Sequence, residues 1–185
     1  MEENTLSRLS SHFHAWAKGR LILTLAVVFV VFVTITLPIA QNASNGVIGL
    51  DTRFFYIPQE AFSVVASYSN HGRSILQIFY LTVDIVNPIL YTSICVLLIS
   101  YLFKRGFKPA SLVQKLNLMP IGAAIFDLLE NISIVIMLST YPNQSRTTAW
   151  LATVGTTTKY IFIYASLALV LLGLIAAALN KFRLR

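Results

Sequence analysis

Cysteine, charge and acid are all scarce in this chain, and each scarcity removes a class of function. Cys95 is the only cysteine, so no disulfide framework can form within the chain. Redox chemistry that needs a Cys-x-x-Cys pair, such as that of some quinone reductases, is excluded with it. Charged residues make up 11 % of the 185 positions, against about 25 % in soluble domains. Only seven residues are acidic against fourteen Lys and Arg, for a formal charge of +7. That excess suggests nucleic acid until the bases are located: they flank apolar runs and form no single patch, so no nucleic-acid partner is expected. No phosphate-binding glycine loop and no metal-ligand spacing is present, so neither cofactor nor metal is expected. No internal repeat is visible, which leaves a repeat-built transporter without support.

What the chain does have is apolar length, with 56 % hydrophobic residues. Four runs, at 21–40, 75–103, 116–141 and 148–180, are long enough as helices to cross a hydrocarbon core of about 30 Å. The first exceeds a signal-peptide core and is followed by no A-x-A site, so it is read as a retained span. Before it, Leu6, Leu9, Phe13 and Trp16 recur at helical spacing, predicting an interfacial helix over 5–19. His12 and His14, two residues apart, do not share a helix face and are read as solvated rather than as metal ligands. Between the first two runs, Pro58 and Glu60 open a helical lid over 58–71 that Gly72 closes, with Phe62, Val65 and Tyr68 or Ser69 as its buried stripe. The expected fold is an all-α membrane protein: one domain over 1–185, a four-helix transmembrane bundle with an N-terminal interfacial helix and an extracytoplasmic lid. Ten of the fourteen bases lie in the N-terminal arm, the 104–115 loop and the C-terminal tail, so both termini are expected in the cytoplasm.

Three acids and one base fall inside these spans: Asp84, Asp127, Glu130 and Lys159. A charge at a bilayer centre costs roughly 3 kcal/mol on insertion scales, so such groups need partners. Asp127, Glu130 and Asn131 share one helix face, as do Tyr80, Asp84, Asn87 and Tyr91. Thr153, Thr156, Thr157 and Tyr160 surround Lys159. Counted from the basic ends of straight helices, Asp84 lies roughly 28 Å up, Lys159 roughly 31 Å, Asp127 roughly 16 Å and Glu130 roughly 21 Å. This predicts an outward-facing polar pocket with the Asp127–Glu130 face as floor, Asp84 and Lys159 as walls, and Arg73 at the mouth. Three carboxylates and one lysine leave a formal −2, so Arg73 folds inward, a carboxyl holds a proton, or a cation occupies the site.

The segments Asp51-x-Arg53-Phe54-x-Tyr56-x-Pro58-x-Glu60-Ala61, Gly72-Arg73, Asp84-x-x-x-Pro88-x-x-Tyr91, Asp127-x-x-Glu130-Asn131 and Thr157-x-Lys159-Tyr160 resemble an uncharacterised family of prokaryotic four-span membrane proteins. The resemblance covers residues 50–165 and implies a prokaryotic cell-membrane location and one recurring polar pattern, with no activity attached. Three functions stay open. The first is an intramembrane site for a lipid or small amphiphile, with Asp127 or Glu130 as catalytic acid or base and Lys159 and Arg73 holding an anionic head. The second is a structural or assembly subunit of a membrane complex or homo-oligomer, docking through Gly173 and Ala177 or Gly122, Ala123 and Ala124. The third is a proton- or cation-coupled transporter subunit, against which the apolar inner halves of the second and fourth spans stand.

Overall fold

Residues 5–109 and 111–183 are described by the computed structural model, and no strand occurs among them. Helices α1 (Thr5–Trp16) and α2 (Gly19–Ala43) lead to a 3-10 turn at Leu50–Thr52. The lid α3 (Pro58–Ser67) precedes α4 (Asn70–Leu81) and α5 (Val83–Gly106), then a 3-10 stretch at Leu112–Leu118. Two long helices close the fold, α6 (Met119–Thr140) and α7 (Arg146–Arg183). Four helical stretches are long and apolar enough to cross a bilayer: Gly19–Ala43, α4 with α5, Leu112–Thr140 and Arg146–Phe182. The chain is therefore an integral membrane protein of the all-α bundle type.

Capping chemistry moves the boundaries near the lid. Ser69, not Gly72, ends the connection: its hydroxyl accepts the Gly72 N–H at 3.0 Å and starts α4 five residues before the expected second span. Gly72 instead sits in the first turn of α4, where a Cβ would collide with the Ala43 carbonyl. The lid's buried stripe is Ala61, Val64, Val65 and Tyr68, with Phe62 only partly covered. The second span also breaks at Thr82, whose hydroxyl donates back to the Ile78 carbonyl at 2.6 Å. Such back-bonding competes with the helix ladder and bends it. Six residues on, Pro88 leaves the Asp84 carbonyl without its intrahelical donor.

Packing divides the bundle into layers. One apolar core joins the lid to α4, α6 and α7 through Tyr56, Val64, Leu76, Tyr80, Ile134, Met137 and Ala152. A second, at the end that carries both termini, centres on Ile99, Leu102 and Phe103. The ionisable residues of the spans lie between the two. Helices α6 and α7 form the most extensive interface, and Gly155 makes it possible by lying against the backbone of Glu130. Helix α2 packs chiefly on α4 and α5 and leaves Leu23, Val30 and Ile35 exposed.

The small residues offered above for docking a partner are used within the chain. Gly173 admits Leu102 and Phe103, the Ala177 backbone approaches Gly106, and Gly122 lies under the Phe162 ring. Helix α1 also differs from a freely solvated interfacial helix. Ser10 donates to Asn117 Oδ1 at 2.8 Å, Asn117 donates to Ser100 Oγ at 2.8 Å, and Lys104 donates to the His14 carbonyl at 2.8 Å. The His14 ring sits between the carbonyls of Ser100 and Gln114, each at 3.2 Å, so it is a structural clip rather than a solvated side chain. This polar stripe faces the bundle, and Leu6, Leu9 and Trp16 face away.

Candidate functional site

Helix α7 supplies the centre of the polar layer. Lys159 is 6 % exposed and its ammonium contacts Glu130 Oε2, Asp127 Oδ1 at 3.3 Å and the Asp51 carbonyl at 3.3 Å. An ammonium has three N–H donors, and three acceptors surround this one. Each carboxylate is held in turn by a hydroxyl. Tyr91 donates to Asp127 Oδ2 at 2.9 Å, and Thr156 donates to Glu130 Oε1 at 2.6 Å. The Tyr56 hydroxyl lies 3.1 Å from Thr156, and burial pushes its ionisation above the ordinary tyrosine range, so it stays neutral beside the acid.

The 51–57 connection is stitched to α7 by a ladder of side chains. Thr153 donates to the Tyr56 carbonyl at 2.9 Å, Thr157 to the Phe54 carbonyl at 3.0 Å, and Tyr160 to the Asp51 carbonyl at 3.1 Å. Tyr80 of α4 donates to Asp51 Oδ1 at 3.0 Å from the other side. Asp51 thereby enters the site as a fourth carboxylate. Composition could not single it out, because it lies in a short connection outside the membrane-length runs and its partners lie 29 and 108 positions away. The Asp51-x-Arg53 motif is the only signal for it.

A cavity of about 340 Å³ lies beside this network. Asp51, Asp84, Asn87, Tyr91, Asp127 and Lys159 line its polar wall; Phe29, Ile163 and Leu167 line its apolar wall. Helices α2 and α7, which form no extensive interface with each other, flank its apolar side. Asp84 accepts one hydrogen bond, from Asn131 Nδ2 at 3.0 Å. Its second oxygen and the Asn87 amide have no protein partner among the described residues. These two side chains lie one helical turn apart, and Asp51, whose carboxylate accepts only from Tyr80 at Oδ1, adds a further carboxylate oxygen without a donor among the described residues.

Of the expected site residues, Tyr91, Asp84, Asn87, Asp127 and Lys159 line one cavity, and Asn131 reaches it through Asp84. Glu130 is fully buried behind Lys159 and does not line it, which removes it as a group that touches a bound molecule. Tyr80 borders a different cavity and reaches the site through Asp51. Arg73 is not at the mouth. Its guanidinium donates to the Val65 and Tyr68 carbonyls and to Asn70 Oδ1, and lies 4.0 Å over the Tyr141 ring. The carbonyls that end α3 lack intrahelical donors, and this base supplies them. The expected separation in height between Lys159 and Asp127 is also absent. Helix α7 runs on past the end of α5, whose Gly106 lies against Ala176 and Ala177. Helix α6 starts part-way along α5, with Asn117 donating to Ser100 Oγ at 2.8 Å and Thr92 to the Pro120 carbonyl at 3.3 Å, so the helix ends are no common origin for measuring depth.

Fold and site together define an all-α membrane-spanning bundle with a carboxylate-rich polar layer and a cavity at its side. Compared with protein-family models, curated proteins and solved structures, the chain matches none.

Proposed function

We propose that this protein binds the cationic head of a small amphiphile or lipid within the membrane, at Asp84 and Asn87, with the tail leaving the cavity between α2 and α7. One observation carries the reading: Asp51, Asp84 and Asp127 line the cavity, and its single ammonium is already taken by Asp127, Glu130 and a carbonyl. An anionic head finds no free cation there, since Arg73 is spent on the lid. A cationic head restores the charge balance that buried carboxylates require. Phe29, Ile163 and Leu167 offer the apolar wall for a chain.

If the site also does acid–base chemistry, Asp84 and Asp51 are the groups placed for it, because each lines the cavity and has a carboxylate oxygen without a protein donor among the described residues; Asp127 is held by Tyr91 and Lys159. The distribution of basic residues supports cytoplasmic termini. Membership of the four-span prokaryotic family is proposed on the same footing, since Asp51, Tyr56, Asp84, Tyr91, Asp127, Glu130, Lys159 and Tyr160 belong both to its motifs and to the network above.

Binding of dodecyltrimethylammonium and of dodecyl phosphate, each titrated into protein held in uncharged maltoside micelles and followed by native mass spectrometry, tests the reading. The cationic probe should bind saturably and the anionic one should not. Asp84→Asn should weaken binding about ten- to a hundredfold, the size of one charge-assisted contact of about 1.5–3 kcal/mol. Equal binding of both probes, or unchanged binding by an Asp84→Asn variant of normal stability, would count against it.

A further inference from the structure

A second cavity, of about 670 Å³, lies at the end that carries both termini, between α1 and the connection from α5 to α6. Its wall includes Ser7, His14, Lys104, Ser111, Gln114 and Lys115. No carboxylate occurs in residues 5–20 or 104–118. The only ion pairs among the described residues are those of Lys159, so both lysines here are electrostatically unpaired. Lys104 uses one N–H on the His14 carbonyl and keeps two, and Lys115 is exposed with no partner of its own among the described residues. The Ser111 hydroxyl accepts from the Val113 N–H at 3.4 Å, which leaves its own proton free to donate.

The groove holds an acceptor as well as donors. Gln114 is 8 % exposed, and its amide nitrogen faces the carbonyls of Phe103, Phe107 and Lys108 at 3.2–3.4 Å. That fixes the orientation of the amide and leaves Oε1 buried without a donor. A buried polar atom without a partner is costly, so a donor on an occupant is favoured there. Apolar surface continues from the rim, where Leu112 is 77 % exposed and Leu116 38 %.

We propose that this groove seats the headgroup of an anionic phospholipid, the phosphate between Lys104 and Lys115, a headgroup hydroxyl on Gln114, and the acyl chains along Leu112 and Leu116. The elements required are all on the groove wall: cations for the phosphate, an acceptor for a hydroxyl, and an exposed apolar edge. Docking of α1 by Ser10 and His14 forms the groove, so the N-terminal helix is a wall of a lipid site and not only an anchor on the membrane surface.

Trp16, next to Ala15 on the groove wall, is a natural reporter once Trp150 is replaced by Phe. In phosphatidylcholine nanodiscs, phosphatidylglycerol brominated on its chains should quench Trp16 more than equally brominated phosphatidylcholine at the same mole fraction. Lys115→Gln should cut that preference about fivefold, the effect of about 1 kcal/mol per lysine near an anionic surface. Lys181→Gln, which removes a base at the same end but outside the groove, should leave it unchanged. Equal quenching by the two lipids, or equal losses in the two lysine variants, overturns the site. Loss of the preference on adding inorganic phosphate at constant ionic strength reassigns the groove to free phosphate and overturns the lipid reading. Lys104 is left intact because it also holds α1.

Discussion

At the scale of the residue, Lys159 governs the polar layer. It is the only base among the span acids and is shared by Asp127 and Glu130, both almost fully buried. Removing one partner from a buried ionic group is far more costly than removing the group together, because it strands charge in a medium that cannot solvate it. Lys159→Met should therefore destabilise the fold by about 3–5 kcal/mol. Adding Asp127→Asn and Glu130→Gln to the same chain should recover much of that loss. Unfolding in mixed micelles with rising dodecyl sulfate measures both; a triple variant as unstable as the single one would show that the cluster is not held by charge compensation. The hydroxyls act one step further out, since Thr156 and Tyr91 keep carboxylate oxygens paired where lysine geometry alone leaves them open, and Tyr56 backs Thr156.

At the scale of the element, close approach of α6 and α7 decides whether these side chains can meet at all. A Cβ at Gly155 would lie 2.9 Å from the Glu130 backbone nitrogen and 3.0 Å from its Cβ. Both are main-chain or near-main-chain atoms of a packed helix, so neither can swing away. Gly155→Ala should destabilise by about 1–3 kcal/mol through overpacking, measured by the same unfolding titration. It should also loosen the Lys159–Glu130 contact, so that adding Lys159→Met to Gly155→Ala costs less than it does in the wild-type chain. Full additivity of the two changes would separate the glycine from the polar layer. The 51–57 connection plays a complementary part: it has almost no regular structure of its own, yet five α7 side chains fix it as the cap of the site.

At the scale of the whole molecule, the charge distribution predicts which side each end occupies. In a Cys95→Ser background, a single cysteine at Asn143 should react with a membrane-impermeant maleimide on intact cells, and one at Lys108 only after permeabilisation. Reaction at Lys108 on intact cells would invert the orientation and move the basic groove to the other leaflet. The bundle otherwise follows from two apolar cores with a polar layer between them, an order that puts the cost of burying charge where compensating groups are densest.

The existence and approximate extent of four membrane-length helices, and the presence of polar residues on shared faces of α5 and α6, are legible directly in the chain. Both depend on local period and on apolar length, which a linear sequence carries in full. Helix starts near the lid are less legible, because a serine cap competes with a glycine stop and only packing against Ala43 decides between them. The partners of the polar residues are not legible. Arg73 reads as the counterion for the carboxylates until the open carbonyls of α3 claim it, and Asp51 reads as loop until α7 draws it into the site. The height of Lys159 fails for a related reason: helices of unequal length share no common end, so distance along the chain does not convert into distance across the bundle. Local periodicity determined that this is a four-span helical membrane protein with charge inside it; only tertiary contact decided which charges meet, which carboxylates keep an oxygen without a protein donor among the described residues, and which base never reaches them.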